Sequence, residues 1–200
     1  MNAKKKAVFL DRDGNINKDV GYPSSYEMID IYPYSFEAVK KINAAGLLAV
    51  VITNQSGIAR GLIEEKALIE MHRKLQKDFS RRNAYFDGIY YCPHFPEADH
   101  PAYGIKCNCR KPAPGMALQA AADLNIDTSL SYMIGDKVED ILFGINIQAK
   151  TVLVLTGYGK RTQELLKEKG IKPSYVAANL LEAVNWILSQ EKKGFQENSQ

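Results

Sequence analysis

Long hydrophobic runs are missing from this 200-residue chain. A membrane span needs about 20 consecutive apolar residues, and stretches such as AVFL (7–10) and LLAVVI (47–52) end far short of that. The first runs straight into Asp11, which leaves no apolar core for a signal peptide. The chain is therefore expected to be cytoplasmic and to have no membrane partner. An excess of one charge is also missing. The 26 Lys and Arg against 23 Asp and Glu leave a net charge of +3, too mild for the concentrated basic face of a nucleic-acid binder. Cysteine is scarce, and the count of three is odd, which argues against a closed disulfide framework. Repeats, low-complexity linkers and composition breaks are absent too. What remains is 46% hydrophobic and 24% charged, ordinary for a globular protein whose core needs no staples.

The pattern that is present is an alternation of strands and helices. AVFLD (7–11) and LLAVVIT (47–53) have the look of strands buried on both faces. Between them, Ser35 is expected to cap a helix carrying Phe36, Val39 and Ile42, with Gly46 ending it. A helix from about 64 to 82 presents Leu68, Met71, Leu75 and Phe79 along one stripe. Strands are expected at GIYYC (88–92), SYMIGD (131–136), TVLVLTG (151–157) and PSYVA. Helices fall at 139–148, at 161–169 and over Leu180 to Leu188. This alternation predicts an α/β fold: a Rossmann-like, doubly wound parallel sheet with helices on both faces. One domain over 1–191 is expected, with 192–200 as a frayed tail.

In such sheets ligands bind at the carboxyl ends of the strands. Asp11 and Asp13 follow the first strand, Thr53 and Asn54 end the second, and Asp136 ends SYMIGD. Lys111 precedes a helix opened by Pro114. Three carboxylates and an ammonium converging there would be costly to bury alone. A divalent cation with hard oxygen ligands, Mg²⁺, and a phosphate would satisfy them together.

FLDRDG, ITNQ, RKPAPG and IGDKVED, in this order over residues 7–141, resemble the four signature motifs of the haloacid dehalogenase-like phosphatases. DRDGNIN, TNQSGIARG, YYCPH, CNCRKPAPGM and IGDKVEDI resemble more narrowly the branch acting on heptose bisphosphates. A lone DxD pair is more often a solvated turn, but four motifs in order outweigh that reading. Asn15 departs from the small threonine or valine usual at its position. The resemblance implies a Mg²⁺-dependent phosphomonoesterase with Asp11 as nucleophile and Asp13 as acid and base. It implies Mg²⁺ on Asp11, the Asp13 carbonyl and Asp136, and phosphoryl oxygens held by Thr53, Asn54 and Lys111. Arg12, Val20, Gln55 and Ser56 are expected to bind substrate. The implied substrate is a small sugar bisphosphate and the implied assembly a monomer. Histidinol-phosphate phosphatase is the enzyme alternative, disfavoured by TNQSGIARG. A dead, zinc-pinned binding module is the non-enzyme alternative, disfavoured by the intact acid set.

All three cysteines lie in one stretch, and Cys92-x-His94 with Cys107-x-Cys109 supplies a tetrahedral set for structural zinc. His100 ranks below His94 as the imidazole ligand, and His72 is read as a surface or packing residue. The loop between, FPEADHPAYGIK, has no apolar period and needs a pin. Its end at Cys109 fixes Arg110 and Lys111. The chain between Asp13 and Thr53 is too short for a cap domain. Residues 16–34 are instead expected to form a small flap, with Asp19, Gly21 and Tyr22 at the mouth. Arg110, Lys137 and Arg60 are candidate partners for a second phosphate, although Arg60 could simply pair with Glu64 or Glu65.

Overall fold

The structure, a computed structural model, describes residues 3–197, with side chains as far as Lys193. Six strands form one sheet: β1 (Ala7–Leu10), β2 (Leu48–Asn54), β3 (Gly88–Cys92), β4 (Tyr132–Gly135), β5 (Lys150–Val154) and β6 (Tyr175–Ala177). Their order is β3-β2-β1-β4-β5-β6, and every pairing is parallel. Successive side chains of a strand point to opposite faces, and β1 shows the consequence. Val8 and Leu10 enter one core cluster, with Val39 and Ile42 of helix α1 (Pro33–Ala44) and Val184 and Ile187 of helix α6 (Leu180–Glu197). Ala7 and Phe9 enter the other, with Met116 of α3 (Gly115–Leu124) and Phe143 of α4 (Val138–Asn146). Both faces are covered, as the unbroken apolar runs require. Helix α2 (Glu65–Ser80) sends Leu75 and Phe79 into the first cluster. Helix α5 (Gly159–Glu168) packs through Leu166 on Leu153.

Two sequence expectations change. Ser35 does not cap α1, which begins at Pro33 after Tyr32. Proline suits that first position because the missing N–H has no intrahelical partner there. The Ser35 hydroxyl instead donates to the Ile16 carbonyl at 2.7 Å and ties the helix to the flap. At the other end, α6 continues to Glu197, through most of the expected tail; residues 198–200 lie outside the described residues. Among the described residues no helix is long and apolar enough to cross a membrane. Between Asp13 and Thr53 stand only the flap segment, with one 3-10 turn (Tyr26–Met28), helix α1 and strand β2.

Candidate active site and metal clusters

The strand order reverses direction between β1 and β4, the switch point at which open α/β sheets bind ligands. A cavity of about 300 Å³ lies there, lined by Asp11, Asp13, Thr53, Asn54, Gln55, Ser56, Arg110, Lys111, Lys137 and Asp140, with Asp19, Gly21, Tyr22, Glu139 and Tyr158 completing the wall. Residues 123 positions apart meet because β1 and β4 are neighbours: the Asp11 N–H donates to the Ile134 carbonyl at 3.0 Å. Asn15 holds the same junction, its amide donating to the Asp11 carbonyl at 3.0 Å.

The floor is acidic. Asp11, Asp136 and Asp140 are all buried and bring carboxylate oxygens within 4.8 Å of one another. Lys111 Nζ answers two of them, at 2.7 Å from Asp11 and 2.6 Å from Asp140, and also donates to the Ile52 carbonyl at 2.9 Å. Asn54 positions this lysine by pairing with its backbone, accepting from the Lys111 N–H at 3.0 Å and donating to its carbonyl at 3.2 Å. Even with Lys137 acting on the cluster from the rim, two ammoniums cannot neutralise three carboxylates. Burial lifts the Asp11 carboxyl to about 6, against the pull of Lys111. Burial, then the charges of Asp11 and Asp140, lifts Asp136 to about 8.

Asp136 is held in a tight cradle. Its Oδ2 accepts from the Tyr158 N–H at 2.7 Å. Gly14 and Gly157, both at positive φ, pass so close that a Cβ on either would collide with the carboxylate. Its Oδ1 is buried without a partner. Asp140, by contrast, is spoken for on both oxygens: Oδ1 by Lys111 and Oδ2 by the Lys137 N–H, where it caps α4. Asp140 was not singled out from the sequence, although the second aspartate of IGDKVED was the signal. Glu139 and Tyr158 were missed as well; Tyr158 follows the end of β5, where the strand-end rule applies.

Asp13 stands on the cavity wall in a ring of donors. Its Oδ1 accepts from Arg12 Nε at 3.0 Å and Asn17 Nδ2 at 2.9 Å. Its Oδ2 accepts from Arg12 Nη2 at 2.7 Å and Gln55 Nε2 at 2.9 Å. Burial alone would raise its carboxyl, but Arg12, Asn17 and Gln55 outweigh burial and hold it below the usual carboxylate range. Arg12, expected to bind substrate, is 1% exposed and off the cavity wall, and its guanidinium pairs with Asp13. Val20 is likewise off the cavity wall, its side chain in solvent. Gln55 also donates to Thr53 Oγ1 at 2.9 Å.

At the rim, Lys137 Nζ reaches Asp19 of the flap at 2.9 Å, which ties the flap across the mouth. Arg110 donates to the His94 carbonyl at 3.3 Å and stands 5.1 Å from the centre of the Phe95 ring. The guanidinium of Arg60 covers the same ring at 3.9 Å, off the cavity wall, while Glu64 pairs with Lys66 and Glu65 accepts from Tyr91 and Tyr103.

The second cluster sits beside that rim. Cys92, His94, Cys107 and Cys109 each bring one donor atom within 4.8 Å of the others. The sulfurs are 3.0, 3.3 and 3.6 Å apart. A disulfide would need about 2.05 Å, whereas thiolates about 2.3 Å from a tetrahedral zinc stand roughly 3.8 Å apart. His100 is elsewhere, its Nδ1 accepting from the backbone of Ala102 and Tyr103. The four donors suit zinc and leave no position for a substrate.

Comparison with known proteins agrees with this geometry. The HAD-hydrolase-like family model matches residues 108–183. The D-glycero-beta-D-manno-heptose-1,7-bisphosphate 7-phosphatase of Pasteurella multocida is 47% identical over 154 residues, covering 76% of this chain and 83% of its own. The corresponding 7-phosphatase of Chlorobaculum tepidum is 40% identical over 192 residues, covering 92% and 96%. The chain belongs to the heptose-bisphosphate phosphatase family of haloacid dehalogenase-like hydrolases. As a member of that family it is a phosphoric monoester hydrolase. Among solved structures, the D,D-heptose 1,7-bisphosphate phosphatase of B. bronchiseptica, complexed with magnesium and phosphate, superposes with a TM-score of 0.80. It is 30% identical and covers 92% of this chain and 99% of its own. Phosphatases of this superfamily use Mg²⁺, and the residues of this family member fit it. The unpartnered Asp136 Oδ1 and the surplus negative charge beside Lys111 are what a hard cation would satisfy.

Proposed function

We propose that this phosphatase removes the 7-phosphate of D-glycero-D-manno-heptose 1,7-bisphosphate and leaves heptose 1-phosphate. The reaction would belong to the synthesis of nucleotide-activated heptose for lipopolysaccharide or another surface glycan, carried out by a cytoplasmic monomer on a free small molecule. The observation that carries this reading is the name shared by relatives 40% and 47% identical over most of their length. The cationic rim supports it, because a bisphosphate needs a partner for the phosphate that is not cleaved.

In this reading a carboxylate oxygen of Asp11 attacks phosphorus, the bond to the sugar oxygen breaks, and Asp13, which must first take up a proton against the pull of Arg12, gives that oxygen the proton. Water then attacks the aspartyl-phosphate, Asp13 takes the water's proton, and the bond to Asp11 breaks to release phosphate. Thr53, Asn54 and Lys111 steady the phosphoryl oxygens throughout. Mg²⁺ would be held by the carboxylates of Asp11 and Asp136 with the Asp13 carbonyl, and would supply positive charge against the phosphoryl oxygens. Asp140 acts as the charge partner of Lys111. Arg110 and Lys137, with Asp19, Gly21, Tyr22, Gln55 and Ser56, would bind the sugar and its remote phosphate. Zinc on Cys92, His94, Cys107 and Cys109 would fix the loop that carries Arg110.

Phosphate release measured side by side on both anomers of heptose 1,7-bisphosphate, fructose 1,6-bisphosphate and histidinol phosphate tests the assignment. A clear preference for one heptose bisphosphate supports it, and a preference for histidinol phosphate overturns it.

A further inference from the structure

His72 lies on α2, outside the cavity wall, yet it is 7% exposed and in contact with the catalytic neighbourhood. Its Nε2 is 3.1 Å from Arg12 Nη1. A guanidinium has donors and no acceptor, so this contact requires Nε2 to carry a lone pair and the proton to sit on Nδ1. Arg12 is thus gripped at one edge by an imidazole and lays its other edge along both oxygens of Asp13. Without His72, Nη1 has no other side-chain partner among the bonds described and is buried. The ring is itself braced by Tyr91 of β3, centre to centre at 5.8 Å, whose hydroxyl donates to Glu65 at 2.9 Å.

We propose that His72 is a positioning residue for the phosphatase reaction: as a neutral acceptor it fixes Arg12, and Arg12 fixes the carboxylate of Asp13 that carries the proton. This rests on the reading of Asp13 as the proton carrier given above. Chemistry separates positioning from general support. An alkyl leaving group such as a sugar oxygen needs a proton as the phosphorus–oxygen bond breaks, whereas p-nitrophenolate leaves without one. Because kcat/KM reports only the steps up to the first irreversible one, it isolates the transfer to Asp11 from later hydrolysis.

The test compares kcat/KM on a sugar phosphate and on p-nitrophenyl phosphate for the metal-loaded full chain and its His72→Leu, His72→Gln and Asp13→Asn variants. His72→Leu should lose about tenfold on the sugar phosphate, the scale of one hydrogen bond to a charged group, and less than about twofold on the aryl phosphate. His72→Gln, whose amide oxygen can accept from Arg12, should recover most of the loss. Should the leucine variant not fold, His72→Gln against His72→Met makes the same comparison. An equal loss on both substrates, or no loss on either, overturns the inference when Asp13→Asn shows the leaving-group bias. Absence of that bias in Asp13→Asn overturns the reading of Asp13 itself.

Discussion

The two clusters of this protein that suit a metal are built in opposite ways. The acid cluster brings Asp11 to Asp136 and Asp140, more than a hundred residues further along the chain, and every one is buried. The thiol cluster collects its four donors within 18 residues of chain, Cys92 to Cys109, and three of the four are partly exposed. The first is positioned by the parallel sheet, whose strand pairing exists whether or not a cation is bound. It can therefore be left with an unpartnered Asp136 oxygen and strained carboxyl affinities, the condition in which a cation and a phosphate bind well. The second has no sheet beyond Cys92 to hold it. Its loop has no apolar core of its own, so a metal there would supply folding free energy rather than chemistry. One cluster is a site the fold makes; the other is a site that makes part of the fold.

Four substitutions sharpen or break that contrast. The largest effect belongs to the floor: Asp11→Asn keeps the shape but removes the attacking oxygen, and turnover should fall at least about a thousandfold, as for loss of a covalent nucleophile. Steady-state phosphate release with circular dichroism as a fold control measures it; a variant keeping a tenth of the activity would refute the covalent route. Cys107→Ser should act on stability instead. Elemental analysis should find one zinc in the parent chain and none in the variant, with unfolding stability lower by several kcal/mol. Parent protein without zinc and with three freely titratable thiols would remove the contrast altogether.

Arg110 joins the two regions, and its effect should be intermediate. Arg110→Ala should lower kcat/KM for the bisphosphate by roughly ten- to a hundredfold, about 1.5–3 kcal/mol for a charge-assisted contact, and far less for a monophosphate. Equal losses on both substrates would assign Arg110 to the common phosphoryl site or to the loop.

The smallest effect concerns acid. His72 is pushed down to about 3, first by burial and then by the Arg12 charge, against the opposing pull of Asp13. Unfolded, it would titrate near 6.5, so below that pH the unfolded chain binds a proton that the folded chain refuses. Stability should therefore fall as pH drops from about 6.5 toward 3, by at most roughly 1.4 kcal/mol per unit from this group. Denaturant titrations of the parent and His72→Gln should diverge by about 2 kcal/mol between pH 7 and pH 5, and parallel curves would refute the assignment.

Much of this molecule was legible before any coordinates. Unbroken apolar runs ending in acid, alternating with amphipathic stripes, determine a parallel sheet with both faces covered, and they put Asp11, Thr53 and Asp136 at strand ends. The thiol cluster was equally readable, because its donors are close in sequence and nothing else in the chain competes for them. The sequence could not decide the direction of individual side chains. Arg12 stands between the two carboxylates of DRD and invites a role at substrate, but the turn after β1 sends it inward, between Asp13 and His72. His72 and Asp13 are 59 positions apart, and only the packing of α2 beside the end of β1 brings their charges to bear on one guanidinium. The surplus charge around Asp136 likewise arises only when β1 and β4 lie side by side. Local pattern settles which elements form because periodicity is a property of neighbours in the chain; electrostatics and hydrogen bonding depend on distances of a few ångströms in space, and those are set by how the elements pack.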